Sequence, residues 1–206
     1  NIFSKFVILW FIPLNMTKNL DLKGLQSIAD DYDLFYIDLW GVIHNGINLH
    51  DNAIAVLKEL LKKKKMLVLL TNAPRPNETV CKFLEKMGMD KVLREHVFTS
   101  GEAALNYLKK SFLSKKFYHI GPPRDFNLFY LFKKNRCEDI SDSEYLLCTG
   151  LFDDHEKNLI YYKNLFEKHT NKKMICTNPD LIVDRGEVRE LCAGSVAMVF
   201  EKMGGE

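Results

Sequence analysis

An aspartate and a threonine stand where two apolar segments of the sequence end. Asp38 closes the segment LFYID, and Thr71 closes the segment MLVLLT. If these segments are neighbouring strands of a parallel sheet, both side chains lie at the edge where such sheets bind ligands. A carboxylate there can attack phosphorus and form a covalent intermediate, and a hydroxyl with nearby N–H groups can hold phosphoryl oxygens. The alternative for Asp38 is a turn carboxylate that neighbouring amides satisfy.

The elements that would position these residues alternate along the chain. A helix with Asp51 as its cap is predicted between the two segments, and a later helix with Ser100 as its cap follows a short strand at Val97 and Phe98. A second alternation comes next, with strands at 117–120, 145–149 and 174–177 and helices near 125–134, 155–168 and 194–203. This order predicts right-handed βαβ units, parallel sheets and an α/β fold.

Composition narrows the class of protein. The chain of 206 residues is 47% hydrophobic and 27% charged, which excludes a disordered or low-complexity chain. Lys plus Arg number 29 against 27 for Asp plus Glu, and this small basic excess does not suggest a nucleic-acid partner. The run of lysines at 62–65 is explained by favourable charge at a helix C-terminus. The five cysteines form no C-x-x-C pair, which favours a reducing, cytoplasmic compartment.

The start of the chain carries a short apolar stretch. The apolar stretch at residues 6–14 is too short to span a bilayer, and a proline interrupts it. We therefore expect residues 1–15 to be an extension outside the fold, and we expect no membrane partner. A join near residues 114–116 divides the rest into units at 16–113 and 114–206.

Three motifs together resemble one family. YIDLWGVIHNG (36–46) looks like a first motif, LLTNAPRP (69–76) like a second, and CTNPDLIVDRG (176–186) like a cap signature. In this order they resemble the haloacid dehalogenase (HAD) superfamily, class IIA, the NagD-like phosphatases. The resemblance implies a Rossmann-like HAD core with a parallel sheet in 16–113, and an inserted C2-type α/β cap in 114–206.

The resemblance also implies roles for individual residues. Asp38 would be the nucleophile and a ligand of Mg²⁺, and the backbone carbonyl of Trp40 would be a second ligand. Thr71 and the amide of Asn72 would bind the phosphoryl group. Arg75, beside that site, is the basic residue ranked first for an anionic substrate, the alternative being a solvated loop arginine.

The cap residues implied by the resemblance are Asn178 and Asp180, with Pro179 between them. They would lie in the unit that covers the core site, excludes water and shapes the leaving-group pocket.

The first departure from the family pattern is Trp40. The family has a second aspartate there, acting as general acid and then base, and such assistance is worth about 10²–10⁴ in rate. His44 or Asp180 could replace it. The alternative for His44 is a loop histidine with local hydrogen bonds.

The second departure concerns the later motifs. The family's third motif, a lysine, and its fourth motif, acidic Mg²⁺ ligands, have no counterpart in residues 1–206. We therefore expect these residues to be an incomplete version with an incomplete core sheet, and to have negligible turnover alone.

The sequence is compatible with two functions. The leading one is a Mg²⁺-dependent phosphatase of a small phosphorylated metabolite, acting through an aspartyl-phosphate at Asp38. The alternative is a phosphate-binding module that has lost turnover, which Trp40 favours. A dinucleotide-dependent oxidoreductase is disfavoured, because no G-x-G-x-x-G follows the first strand. The resemblance also suggests a homodimer through the cap.

Overall fold

A computed structural model of the chain describes residues 21–185 and 188–206. The predicted extension at residues 1–15 lies outside the described residues. The description begins with short 3₁₀ turns at Asp21–Ser27 and Ala29–Asp31, which lead into the first strand.

The first unit is a parallel sheet of three strands. The strands are Leu34–Asp38 (β1), Met66–Thr71 (β2) and Val97–Thr99 (β3), in the order β1-β2-β3. The helices are Asp51–Lys62 (α1), Asn77–Lys86 (α2), the short Lys91–Arg94 (α3) and Ser100–Ser111 (α4). All three strands lie where the sequence predicts them.

The predicted caps of α1 and α4 are each wrong by one residue. Asp51 lies inside the first turn of α1, and its N-cap is His50, which makes no side-chain cap bond. The N-cap of α4 is Thr99, whose hydroxyl accepts a hydrogen bond from the Glu102 N–H at 2.8 Å, and Ser100 follows it. Ser, Thr and Asp all suit the N-cap position, so composition alone does not settle which of two neighbours takes it.

The second unit is a parallel sheet of four strands. These are Phe117–Ile120 (β4), Arg136–Cys137 (β5), Tyr145–Cys148 (β6) and Lys173–Cys176 (β7), in the order β5-β4-β6-β7. The helices Leu159–Phe166 (α5) and Ala193–Lys202 (α6) are those predicted near 155–168 and 194–203. The helix predicted near 125–134 is instead a 3₁₀ segment, Pro123–Asn135, with non-helical backbone at Phe129 and Phe132.

A hairpin completes the second unit. Its strands Ile182–Arg185 (β8) and Val188–Leu191 (β9) pair antiparallel, between β7 and α6. Together with the two parallel sheets, it gives the α/β fold that the sequence predicts, with a Rossmann-like first unit.

Three apolar clusters form the core of the described chain. One lies within the first unit around Leu57, Leu69 and Leu84, and one within the second around Tyr162 and Phe200. The third joins side chains of α4 to residues of β4, β6 and the 3₁₀ segment. Helix α4 therefore holds the two units together through apolar packing.

Two further properties concern the surroundings of the protein. All five cysteines are free thiols. Among the described helices, none combines the length and apolar character needed to cross a membrane. A cytoplasmic location stays a prediction from the cysteine pattern.

Candidate functional site

The carboxyl ends of β1 and β2 bring Asp38 and Thr71 to one edge of the first sheet. Asp38 pairs with Leu70 in the parallel register, so Thr71 lies one residue further along β2. Because successive side chains of a strand alternate between faces, the side chains of Asp38 and Thr71 start from opposite faces of the sheet. A ligand reached by both would therefore sit beyond the strand ends, which is where parallel sheets bind ligands.

The loop after β1 is held in place by hydrogen bonds and by two buried aliphatic side chains. Leu39 and Ile43 are each 1% exposed and hold the loop in the core. The Leu39 N–H donates to Asp38 Oδ1 at 2.8 Å, and the Gly41 N–H donates to the His44 carbonyl at 2.8 Å. Gly41 has φ of +74°, a conformation that favours glycine. Asp38 itself is exposed at the edge.

His44 is buried and held by local contacts. Its Nδ1 accepts a hydrogen bond from the Gly46 N–H at 3.0 Å, so a proton of the neutral ring lies on Nε2. Its ring packs edge-on against Trp40 at 5.5 Å and Phe83 at 5.7 Å. Burial lowers the pKa of His44, while the Asp38 carboxylate acts in the opposite direction. These contacts are those of the locally bonded loop histidine, and they place its ring within the electrostatic reach of Asp38.

The Trp40 side chain packs against Gly46. Its indole is 43% exposed and lies so close to Gly46 that a Cβ there would be 2.7 Å from the ring. An indole has one N–H donor and no group that titrates near neutral pH, so Trp40 does not supply acid–base chemistry. Its backbone carbonyl remains a potential oxygen ligand.

The loop after β2 is packed against the start of α4. Thr71 Oγ1 accepts a hydrogen bond from the Ala73 N–H at 3.3 Å. The Thr99 hydroxyl donates to the Arg75 carbonyl at 2.5 Å, and the Gly101 N–H donates to the Ala73 carbonyl at 3.1 Å. These bonds fix the backbone of the second motif beside the sheet edge.

Arg75 is turned toward the second unit. Its Nε lies 3.5 Å from Asp125 Oδ1, and Asp125 is only 3% exposed. Burial raises the pKa of Asp125, whereas Arg75 and the Thr149 hydroxyl lower it. Arg75 is thus engaged by a carboxylate between the two units. The sequence reasoning missed Asp125, which fell inside a predicted helix and carried no motif.

A second polar contact joins the two units beside the site. Asn72 Nδ2 donates to Asp180 Oδ1 at 2.9 Å. Asn178 Oδ1 accepts from the Asp180 N–H at 2.9 Å and so shapes the turn that presents Asp180. The structure therefore brings Asn72 of the second motif together with both predicted cap residues.

The segment that carries Asp180 is also fixed from behind. Gly194, in the first turn of α6, lies against it, and a Cβ there would be 2.2 Å from the Pro179 carbonyl oxygen. The Gly194 N–H donates to the Asp180 carbonyl at 3.0 Å, and the Ser195 hydroxyl donates to the Leu181 carbonyl at 2.6 Å. Close backbone approach at Gly194 thus explains the C-A-G-S sequence after the hairpin.

The residues at the edge suit Mg²⁺ in kind. Mg²⁺ prefers oxygen ligands and is often held by one or two carboxylates with waters and substrate phosphate. Asp38 and the Trp40 carbonyl offer two such oxygens. Within residues 21–185 and 188–206, no group of three or more His, Cys, Asp or Glu side chains is assembled that could hold a metal. Asp38 would therefore be the carboxylate on which a bound ion depends here.

Comparisons with known proteins agree with this fold. A family model described as haloacid dehalogenase-like hydrolase matches residues 35–129. The chain is 30% identical over 105 residues to phosphoglycolate phosphatase 2 of Arabidopsis thaliana, a match covering 50% of this chain and 35% of that protein. The chain therefore spans about a third of the length of that curated relative.

Solved structures extend the match into the second unit. A haloacid dehalogenase-like hydrolase from Brucella suis 1330 is 30% identical, with a TM-score of 0.78 over 88% of this chain and 69% of that one. NagD from E. coli K-12 has a TM-score of 0.60 at 21% identity, over 85% of this chain and 67% of that one, and this likeness shows the fold alone.

The fold is that of a two-unit α/β protein with an aspartate at the carboxyl end of its first strand. The chain belongs to the haloacid dehalogenase-like hydrolase family. Its place in class IIA, the NagD-like class, stays a prediction from the motifs.

Proposed function

We propose that this chain provides the nucleophile and the phosphate-binding loop of a Mg²⁺-dependent phosphatase that acts on a small phosphorylated metabolite. The proposal depends above all on the position of Asp38 and Thr71, one residue apart in register at the same sheet edge. The similarity to a phosphatase of Arabidopsis supports it.

In this proposal each residue has a distinct task. Asp38 attacks the phosphorus to form the aspartyl-phosphate as the bond to the leaving alkoxide breaks, and the alkoxide takes its proton from solvent water. A second water then hydrolyses the aspartyl-phosphate, which releases inorganic phosphate and restores Asp38. Thr71 and the backbone amide of Asn72 hold the phosphoryl oxygens where negative charge develops. Mg²⁺, when bound by Asp38 and the Trp40 carbonyl, would neutralise charge between the nucleophile and the anionic substrate.

The second unit would close the site through two polar contacts. Asp180 reaches Asn72, and Asp125 reaches Arg75. Because Arg75 is already engaged by Asp125, we assign it a positioning role at the join of the units. The substrate would then be held chiefly by Thr71 and the Asn72 amide.

A phosphate-binding module without turnover is the second candidate. It is favoured by Trp40, which fills the position of the acid–base aspartate and packs on Gly46. His44 has its Nδ1 occupied and its pKa lowered by burial, so it is poorly suited to donate a proton at neutral pH. A homodimer through the second unit stays a prediction.

Fluoroberyllate trapping tests the nucleophile. The full-length protein that contains residues 1–206, incubated with beryllium fluoride and Mg²⁺, should give a bound ¹⁹F NMR signal. The signal should depend on Mg²⁺, disappear in Asp38→Asn and weaken in Thr71→Val. Asp31→Asn, an exposed carboxylate in a 3₁₀ turn, is the matched control and should retain it. A signal that survives in Asp38→Asn would overturn the proposal.

Turnover then separates the two candidates. A phosphatase releases many equivalents of phosphate from p-nitrophenyl phosphate per protein, and Asp38→Asn abolishes this release. A binding module gives the trapped adduct but at most one equivalent of phosphate. If neither adduct nor release is seen, both functions are wrong.

A further inference from the structure

The sheet of the second unit has a topological switch point between β4 and β6. The chain passes from β4 to β5 on one side, then crosses to β6 on the other side of β4, giving the order β5-β4-β6-β7. In open parallel sheets, the loops on either side of such a point diverge, and ligands bind in the crevice between them.

A cavity of about 310 Å³ lies at this point. Gly121 and Pro123, which follow β4, form one wall, and residues 152–154, which follow β6, form another. The cavity shares no residue with the candidate site at Asp38. Its volume is at the lower end of ligand pockets, which run from about 300 to 1,000 Å³, so it suits a molecule far smaller than a dinucleotide.

Arg136 supplies a cation with unused hydrogen-bonding capacity. Its guanidinium lies 4.7 Å from the centre of the Phe126 ring, which fixes its plane. Its Nε is buried and has no hydrogen-bond partner among the described residues. Its ion pair with Glu138 is loose, at 3.8 Å, and Glu138 is 87% exposed. The Arg136 side chain is 30% exposed, so a ligand would meet its terminal N–H groups and not the buried Nε, and a planar guanidinium is well matched to a carboxylate.

The opposite charge comes from the loop after β6. Asp153 and Asp154 line the cavity and are exposed. Arg124 pairs with Asp153 at 2.7 Å, whereas Asp154 has no ion pair within the part of the chain that the structure describes. Because Arg124 already neutralises Asp153, the charges left at the cavity are Arg136 and Asp154, and Asp154 is available for a ligand ammonium group.

Aromatic rings form the apolar part of the cavity. Phe126 and Phe152 both line it, and Phe152 is held by stacking on Tyr162, with ring centres 5.9 Å apart. His119 adds a neutral ring, because burial lowers its pKa to about 3. The apolar surface therefore carries no second cation beside Arg136.

We propose that this cavity binds a free α-amino acid with an aromatic side chain. The ligand carboxylate pairs with Arg136, its ammonium group pairs with Asp154, and its side chain packs between Phe126 and Phe152. Each of the three chemical features of the cavity then has its counterpart in one small zwitterion.

Calorimetric titration of the full-length protein that contains residues 1–206 with L-phenylalanine tests whether the cavity binds an aromatic amino acid. Binding should be saturable, and it should weaken about tenfold or more in Arg136→Gln and in Asp154→Asn, since each removes a charged hydrogen bond. The matched controls are Lys134→Gln and Asp142→Asn, which alter exposed charges of the same unit outside the cavity and should bind as the unaltered chain does.

Ligand analogues make the test sharper. 3-Phenylpropionate lacks the ammonium group and phenethylamine lacks the carboxylate, so both should bind at least about tenfold more weakly than L-phenylalanine. Equal binding of all three, tighter binding of adenosine, or no binding of L-phenylalanine would each overturn the proposal. Asp38→Asn should bind L-phenylalanine normally, so a failure of the proposed phosphatase function leaves this result unaffected. Thermal unfolding of each variant identifies any that does not fold.

Discussion

Replacing Gly101 by alanine should weaken the join between the second motif and α4. A Cβ at this position would lie 2.3 Å from the Arg75 backbone nitrogen and 2.5 Å from its carbonyl oxygen. Carbon atoms in ordinary contact lie about 3.5–4.0 Å from their neighbours, so one backbone must move by roughly 1 Å. Flexible side chains could absorb such a shift, but these are main-chain atoms held by hydrogen bonds, since the Arg75 carbonyl accepts from the Thr99 hydroxyl and the Arg75 N–H donates to the Ala73 carbonyl.

The expected magnitude is a balance of two opposing terms. Overpacking of this kind costs about 1–3 kcal/mol, and contact with backbone favours the upper end. Alanine is better than glycine in a helix by at most about 1 kcal/mol, which offsets part of that cost. A net loss of about 2 kcal/mol remains, and for a chain of this length it lowers the melting temperature by roughly 4–8 °C.

Two measurements together check this reasoning. Calorimetry gives the melting temperature, and hydrogen–deuterium exchange reports whether residues 71–76 become less protected. Gly88→Ala is the control, because Gly88 has φ of +87° and open space around it. That variant should be destabilised by backbone strain alone and leave exchange at 71–76 unchanged. An unaltered melting temperature and exchange rate in Gly101→Ala would refute the close packing described here.

Two further experiments test the join of the units and the buried histidine. A double-mutant cycle of Asn72→Ala and Asp180→Ala, read by urea unfolding, should give a coupling energy of about 0.5–1.5 kcal/mol, and additive losses would contradict the 2.9 Å hydrogen bond. His119 has a folded pKa of about 3, below its unfolded value, so the unfolded chain binds the extra proton and stability falls as pH drops below about 6.5. Between pH 7 and 5 the loss should be about 2 kcal/mol greater than in His119→Gln, and equal losses would contradict a buried neutral ring.

The strands were predictable because buried parallel strands are short apolar runs with polar residues at their ends. LFYID and MLVLLT gave β1 and β2 with their bounds, and the rule that ligands bind at carboxyl ends brought Asp38 and Thr71 to one edge. The 3₁₀ geometry of Pro123–Asn135 was not predictable in this way, because its apolar residues fit a helical period while the kinks at Phe129 and Phe132 depend on packing.

The contacts between the two units could not be predicted from the sequence. Asn72 and Asp180 are 108 residues apart, and no local pattern relates them. Asp125 lay in a segment read as an ordinary helix, although its partner Arg75 had been singled out. Of the hairpin, Ile182–Arg185 was read only as part of a signature and Val188–Leu191 was not predicted, since half the residues of these two short strands are charged.

The ion pair between Arg75 and Asp125 links the arrangement of the units to protons in solution. Asp125 is buried, and burial raises its pKa, which Arg75 partly restores. If the units moved apart while Asp125 stayed buried, that compensation would vanish and the carboxyl pKa would rise further. Bringing the units together would then release protons, and acidic conditions would favour their separation. The association of the two units would therefore depend on pH.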